Sequence, residues 1–187
     1  MSKCLLKNYK CRTCVIKDTC NVEKVTIDSS ILLSIIKHED TRMLCEERLN
    51  QIKKDGKGFV NHIILAEVYK ETINFIEKET KKLEDEFNLL HLSVPWELKK
   101  ILEIISVLRN VLEDLKVVEI DKEAWGYSNK LFSLPRADMK NRDIINLGTA
   151  ESHLHNKFLF IDKGIESAKK SIEDLGFKIK LEPLRTK

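Results

Sequence analysis

Short apolar runs alternate with longer stretches of helical spacing from residue 25 onward. Runs rich in β-branched and aromatic residues predict short strands at residues 25–27, 59–60, 116–120 and 158–161. Between them, apolar residues recur every three or four positions and predict helices, the first of them starting near Ile31. Strands that alternate with helices are typical of a parallel sheet with right-handed crossovers. We therefore expect a three-layer α/β/α domain around a short, mostly parallel central sheet.

The C-terminal third of the chain carries three more helical patterns. Two cover residues 121–132 and 141–155, with a break at Ser133, Leu134 and Pro135. The third covers residues 164–175, and Gly176 is its expected stop. Trp96 and Trp125 are expected in the core, and Cys45 as a buried thiol.

The stretch from about residue 70 to 115 is longer than one crossover helix requires. It contains two apolar stripes at helical spacing, and Pro95 suits the first turn of the second helix. These features predict a helical hairpin that turns near residues 91–95. Its charges are mixed, which favours a role in packing or in a homodimer over RNA contact.

Composition indicates a globular protein with a well-charged surface. Charged residues make up 34% of the chain and hydrophobic ones 42%, and the apolar runs are far shorter than a membrane span. No apolar signal core opens the sequence, so we expect a cytoplasmic protein without membrane attachment. The net charge of +3 is too small by itself to indicate a polyanionic partner. Residues 1–24 carry six basic and two acidic side chains, or +4, so the remainder carries −1.

The basic N-terminal segment also holds four of the five cysteines. Cys4, Cys11, Cys14 and Cys20 follow the spacing C-x6-C-x2-C-x5-C, and a C-x2-C pair suits one tetrahedral metal ion. The segment has too few apolar side chains to fold alone, and metal binding would supply the missing free energy. Structural Zn²⁺ is the favoured occupant. An iron–sulfur cluster or disulfides are the alternatives, the latter disfavoured in an intracellular setting.

Four acidic residues follow or open the predicted elements. Asp28 follows the first strand and Asp162 the run at 158–161, while Glu67 and Asp143 lie in helical patterns. Ligand sites of open α/β sheets form at the carboxyl ends of strands. Hard cations such as Mg²⁺ take oxygen ligands, which a carboxylate cluster supplies. The spacing therefore predicts a metal site.

Each acid also has a purely structural interpretation. Asp28 and Asp162 could cap the helices that follow them. Glu67 could be a solvated residue on an amphipathic helix, and Asp143 could pair with Arg142 or Lys140. His153 and His155 are two positions apart on a predicted helix, so they do not share a face and are expected at the surface or at the helix end.

Four short motifs, taken in their order along the chain, resemble those of the PIN-domain ribonuclease family. The resemblance rests on Asp28-Ser29-Ser30 after a strand, on Leu65-Ala66-Glu67-Val68, on Asp143 with Thr149-Ala150, and on the run at 158–161 ending at Asp162. It covers about residues 23–182. Ile161 stands where many members carry a hydroxyl residue, and the hairpin and the cysteine module lie outside the family pattern.

The resemblance implies a site and a reaction. Asp28, Glu67, Asp143 and Asp162 would hold one or two Mg²⁺ or Mn²⁺ ions, with Ser30 and Asn61 as polar support. The implied reaction is hydrolysis of RNA phosphodiester bonds by water.

We therefore expect a metal-dependent endoribonuclease, in RNA processing rather than as a free-standing toxin. The alternative is a non-catalytic RNA-binding or assembly scaffold that docks through the cysteine module and the hairpin. The hairpin is compatible with a homodimer, whereas an inhibitor or antitoxin partner is compatible with the sequence but is not indicated by it. The expected organisation is the four-cysteine module at 1–22, the PIN-like domain at 23–182 with its helical insertion at about 70–115, and a tail at 183–187.

Overall fold

A computed structural model describes residues 23–90, 95–134 and 139–185. The predicted cysteine module at 1–22 and residues 91–94 of the predicted hairpin turn lie outside these ranges. Within them the strands are β1 Val25–Ile27, β2 Gly58–Asn61, β3 Lys116–Val118, β4 Lys157–Phe160 and β5 Lys180–Pro183. The helices are α1 Ser29–Ile36, α2 Arg42–Lys54, α3 His62–Leu90, α4 Pro95–Leu112, α5 Lys122–Phe132, α6 Asn141–Ser152, α7 Lys163–Ser167 and α8 Lys169–Asp174.

The five strands form one parallel sheet in the order β3-β2-β1-β4-β5. The central strand β1 pairs with β2 on one side and with β4 on the other, where Ile27 stands opposite Leu159. All three residues of β1 are buried, as expected for a parallel strand covered on both faces. The predicted α/β architecture is therefore confirmed, and the sheet is fully parallel.

Two apolar clusters cover the two faces of the sheet. Leu159 belongs to the cluster built with α1, α2, α3 and α4, whereas Phe158 and Phe160 belong to the cluster built with α6, α7 and α8. Successive side chains of a strand point to opposite faces, so these neighbours in β4 place the clusters on opposite sides. The result is the three-layer arrangement expected from the alternating pattern.

Helices α3 and α4 form where the long apolar stripes predict them. Pro95 is the first residue of α4, where its missing N–H costs no helical hydrogen bond. Ile104 and Val111 of α4 are buried in the same cluster as Ile64 and Val68 of α3. The two helices therefore pack on the sheet domain through these residues. No helix within the described ranges is long and apolar enough to cross a membrane.

Three predictions differ from the structure. The helix expected over 164–175 is two short helices that meet at Ala168, where the Ser167 hydroxyl donates to the Gly164 carbonyl and competes with the backbone ladder. Trp125 is 47% exposed and does not anchor the core. His155 is buried rather than at the surface, with its Nδ1 2.5 Å from Thr26 Oγ1 and its ring packed against the Phe59 ring at a tilt of 38°. Burial lowers the pKa of His155 to about 3, so the ring is neutral at physiological pH.

The helices α5 and α6 pack closely because α6 carries a glycine at their contact. A Cβ added at Gly148 would lie 2.7 Å from the carbonyl oxygen of Ala124 and 2.8 Å from the Ser128 nitrogen. We expect Gly148→Ala to lower the free energy of unfolding by about 3 kcal/mol, because backbone must move. Gly126→Ala is the matched control. A Cβ at Gly126 meets no described atom within 4 Å, so the free energy of unfolding of this variant should rise by about 0.5–1 kcal/mol. Urea unfolding measures both free-energy changes, and equal changes in the two variants would contradict the close packing of α5 and α6 at Gly148.

Candidate metal-binding active site

All four predicted acids line one cavity of about 350 Å³. Asp28 comes directly after β1, Asp162 lies two residues after β4, and Glu67 and Asp143 lie near the beginnings of α3 and α6. The carboxyl ends of adjacent parallel strands meet at one edge of the sheet, which brings Asp28 and Asp162 together. The remaining lining residues are Ser29, Ser30, Leu33, Lys37, Glu39, Glu71, Lys140, Arg142 and Ile161.

Asp28 is 2% exposed and combines a structural contact with an unpaired oxygen. Its Oδ2 caps α1, accepting hydrogen bonds from Ser30 N at 3.1 Å and from Ser30 Oγ at 2.6 Å. Its Oδ1 is buried and has no hydrogen-bond partner among the described residues. Burial raises the pKa of Asp28 against these bonds, the charges of Asp143 and Glu67 add to the rise, and the resulting pKa is about 6. The cap interpretation is therefore correct for one oxygen only.

Ser30 joins the two strand ends that carry acids. Its Oγ donates to Asp28 Oδ2 and accepts a hydrogen bond from the Ile161 nitrogen at 3.1 Å. Ile161 thus contributes its backbone at the position where the resemblance leads one to expect a hydroxyl side chain. Ser30 therefore contacts both strand ends, and its role as polar support for a metal site stays a prediction.

Both carboxylate oxygens of Glu67 are engaged by side chains. Ser29 Oγ donates to Oε2 at 2.8 Å, and Arg142 Nη2 lies 2.6 Å from Oε1. The Glu67 side chain is only 9% exposed, so it is not the solvated residue of the structural interpretation. The sequence analysis did not predict a role for Ser29.

Asp143 and Asp162 each use one oxygen at a helix N-terminus. Asp143 Oδ2 accepts from the Lys140 nitrogen at 3.0 Å, and Asp162 Oδ1 accepts from the Gly164 nitrogen at 2.6 Å. Their other oxygens have ion pairs at 3.8 Å, from Arg142 Nε to Asp143 Oδ1 and from Lys140 Nζ to Asp162 Oδ2. Burial raises the pKa of Asp143, and the charge of Asp162 adds to that rise.

Arg142 lies between two of the acids. Its Nη2 contacts Glu67, whereas its Nε is buried 3.8 Å from Asp143 Oδ1 and has no hydrogen-bond partner within the described ranges. The sequence suggested a pair with Asp143, and the structure places the much shorter contact on Glu67. The pairing of Arg142 with Glu67 joins residues 75 positions apart, which local spacing could not predict.

Asn61 does not line the cavity. Its Oδ1 caps α3 by accepting from the Ile64 nitrogen, and its Nδ2 donates to Asn146 Oδ1, both at 2.9 Å. Asn146 lies on α6, one turn after Asp143, so this buried amide pair fixes the helix of Glu67 against the helix of Asp143. Asn146 was not predicted, although an amide in the otherwise apolar stretch 144–147 was the available signal.

The donor set fits a hard divalent cation in chemical type. Carboxylate oxygens are the ligands that Mg²⁺ and Mn²⁺ prefer, and the orphaned Oδ1 of Asp28 is a buried acceptor that a cation would satisfy. Within the described ranges, no three His, Cys, Asp or Glu side chains are grouped closely enough to hold a metal ion in this arrangement. The acids must therefore approach one another for an ion to bind.

The five-stranded parallel sheet flanked by helices is consistent with a PIN-like fold. One similar solved structure is that of VapBC2 from Rickettsia felis, bound to a DNA fragment from the VapBC2 promoter. Its TM-score is 0.53 and its sequence identity 18%, and the match covers 86% of this chain and 98% of that chain. Another is DNA-bound VapBC from Salmonella typhimurium, with a TM-score of 0.50, 16% identity, and coverage of 85% and 98%. No protein-family model matches the chain, and no curated protein does. At these identities the likeness establishes the fold alone.

Proposed function

We propose that this protein is an endoribonuclease that hydrolyses RNA phosphodiester bonds with Mg²⁺ or Mn²⁺. The observation that carries the proposal is the convergence of Asp28, Glu67, Asp143 and Asp162 on one cavity from four separate segments. Hydrogen bonds at helix N-termini explain one oxygen each of Asp28, Asp143 and Asp162, but they do not explain why four carboxylates face a common space.

The electrostatic cost of this arrangement favours a cation site. Raised pKa values at Asp28 and Asp143 mean that their ionised forms destabilise the folded protein. A scaffold without a metal would gain stability by replacing these acids with neutral residues. With a divalent ion bound, the same ionised carboxylates would stabilise the folded protein, because the ion lowers the energy of their charged forms.

Each side chain has a distinct task in this mechanism. Asp28, Asp143 and Asp162 would hold the ion through the oxygens that make no hydrogen bond to the described residues, with Glu67 joining them once its contact to Arg142 opens. Ser29 and Ser30 orient Glu67 and Asp28. The bound ion supplies Lewis acidity, lowering the pKa of water and offsetting charge on the phosphate.

Basic residues at the same cavity suit a polyanionic substrate. Lys37, Lys140 and Arg142 line it together with the acids, so phosphate groups beside the scissile one would meet positive charge. Lys37 pairs with Glu71 at 3.0 Å, and Lys140 lies 3.8 Å from Asp162. These pairs hold both lysines at the cavity.

A cleavage panel tests the proposed function. Wild-type protein is incubated with single-stranded and structured RNAs in Mg²⁺, in Mn²⁺ or in EDTA. DNA is included because the two neighbours were solved bound to DNA. We expect internal cleavage of RNA that requires metal and stops in EDTA. Binding of RNA without cleavage in either metal would contradict the enzyme and favour a scaffold.

The cysteine module remains a prediction. We infer that Cys4, Cys11, Cys14 and Cys20 bind structural Zn²⁺, with an iron–sulfur cluster as the alternative occupant. An antitoxin-like partner and a homodimer likewise remain inferences, the first prompted by the VapBC names of the neighbours.

A further inference from the structure

The ion pair with Arg142 engages the Glu67 carboxylate, which the proposed metal site needs as a ligand. Nη2 lies 2.6 Å from Glu67 Oε1, and Ser29 takes the second oxygen of the same carboxylate. Glu67 therefore has no oxygen left for an ion in this arrangement. Arg142 Nε stands 3.8 Å from Asp143 Oδ1, beside a second acid of the site.

An arginine and a divalent ion cannot both neutralise the same carboxylate at contact distance without repelling each other. At these distances two positive centres interact strongly, particularly in a cavity with buried walls. The Arg142 side chain is 40% exposed, so its head group can leave the cavity for solvent. Its Nε makes no hydrogen bond to any residue that the structure describes.

We propose that Arg142 is an internal counter-ion that holds Glu67 while no divalent ion is bound and turns to an RNA phosphate when an ion displaces it. This inference rests on the proposed function. A released guanidinium at the rim of the cavity is suited to phosphate, which it binds in bidentate geometry. Arg142 is thus a positioning residue that couples metal binding to substrate binding.

The first test measures Mn²⁺ affinity without any substrate. Mn²⁺ binding is followed by electron paramagnetic resonance for the full-length wild type, Arg142→Ala, Arg142→Lys and Arg48→Ala. Arg48 is the matched control, because its Nη2 lies 2.8 Å from Glu182 Oε1 in another ion pair between residues distant in sequence, and neither of these residues lines the cavity. We expect Arg142→Ala to bind Mn²⁺ about tenfold more tightly, equivalent to about 1.4 kcal/mol. Arg48→Ala should match wild type.

The outcomes separate the inference from the function beneath it. Mn²⁺ affinity that is unchanged or weaker in Arg142→Ala overturns the counter-ion role, whereas a wild type that binds no Mn²⁺ contradicts the proposed function itself. If circular dichroism shows that Arg142→Ala is unfolded, Arg142→Gln keeps the length of the side chain and removes its charge. The same tightening is expected of that variant.

A second readout tests the turn toward phosphate. Binding of a short single-stranded oligouridine is titrated against salt in Ca²⁺, as the divalent probe. Arg142→Ala should bind this RNA more weakly, with a salt slope smaller by about 1, while Arg142→Lys recovers most of the slope. An unchanged slope in Arg142→Ala would overturn the phosphate contact.

Discussion

Asp143→Asn is expected to lower the rate of RNA cleavage by about 10³-fold while leaving the protein folded. Asp143 is 5% exposed, and its Oδ2 accepts a hydrogen bond from the Lys140 backbone at the start of α6. An asparagine oxygen can accept the same bond, so the helix start survives. The amide removes the negative charge that would attract the ion, and catalysis falls with ion binding. Initial rates with a labelled RNA in Mn²⁺ measure the loss.

Asp121→Asn is the matched control for this experiment. Asp121 also stands at a helix start, where its Oδ1 accepts from the Ala124 nitrogen at 2.8 Å, and it does not line the cavity. Its variant should cleave at the wild-type rate, since asparagine is an equally good N-cap. If Asp143→Asn cleaves as fast as Asp121→Asn, the acids of this cavity do not carry the reaction.

Asp28→Asn is expected to stabilise the metal-free protein and to destabilise it relative to wild type once Mn²⁺ is present. The pKa of Asp28 is raised from 3.8 to about 6 in the folded state, so ionised Asp28 costs about 3 kcal/mol above pH 6. This cost disappears as the pH falls from 6 to 3.8, because the folded state then takes up the proton. Asparagine avoids the charge, but it buries an amide group at the position of Oδ1, which costs part of that gain. We therefore expect the free energy of unfolding of Asp28→Asn to exceed that of the wild type by about 2 kcal/mol at pH 7.5 in EDTA.

Mn²⁺ at about 1,000 times its Kd stabilises the wild type by about 4 kcal/mol. Asp28→Asn lacks one of the proposed ligands, so Mn²⁺ should stabilise it far less. The wild type should therefore have the higher unfolding midpoint in Mn²⁺, whereas Asp28→Asn has the higher midpoint in EDTA. Chemical unfolding at pH 7.5, in EDTA and in Mn²⁺, measures both differences, and Asp121→Asn should follow the wild type in both. A variant less stable than wild type in EDTA, or one stabilised equally by Mn²⁺, would contradict the proposed role of Asp28.

Four of the five strands and the positions of Asp28 and Asp162 could be predicted because they depend on local sequence, whereas β5 was not predicted. Parallel strands are buried on both faces and read as short apolar runs, and a polar residue directly after such a run lies at the carboxyl end of the sheet. Asp28 and Asp162 follow this rule. Glu67 and Asp143 needed the additional order of motifs that resembles a known family, since an acid in an amphipathic helix is ordinarily solvated.

The contacts that complete the site join residues distant in sequence, which spacing does not encode. Ser29 meets Glu67 only because β1 and β2 are neighbours, and Arg142 meets Glu67 only because α6 packs near α3. His155 was expected at the surface or at the helix end because it falls within the helical pattern predicted over residues 141–155. The helix instead ends at Ser152, and the following turn carries the ring inward against Thr26 and Phe59.

The location of a bound ion tests the central claim most directly. Crystals of the protein grown with Mn²⁺ would be measured at a wavelength where manganese scatters anomalously. We predict an anomalous peak in the cavity, coordinated by Asp28 Oδ1 with oxygens of Asp143 and Asp162, and absent from Asp28→Asn crystals. A peak only elsewhere on the molecule, or none in the cavity at saturating Mn²⁺, would contradict the assignment of these acids as a metal site.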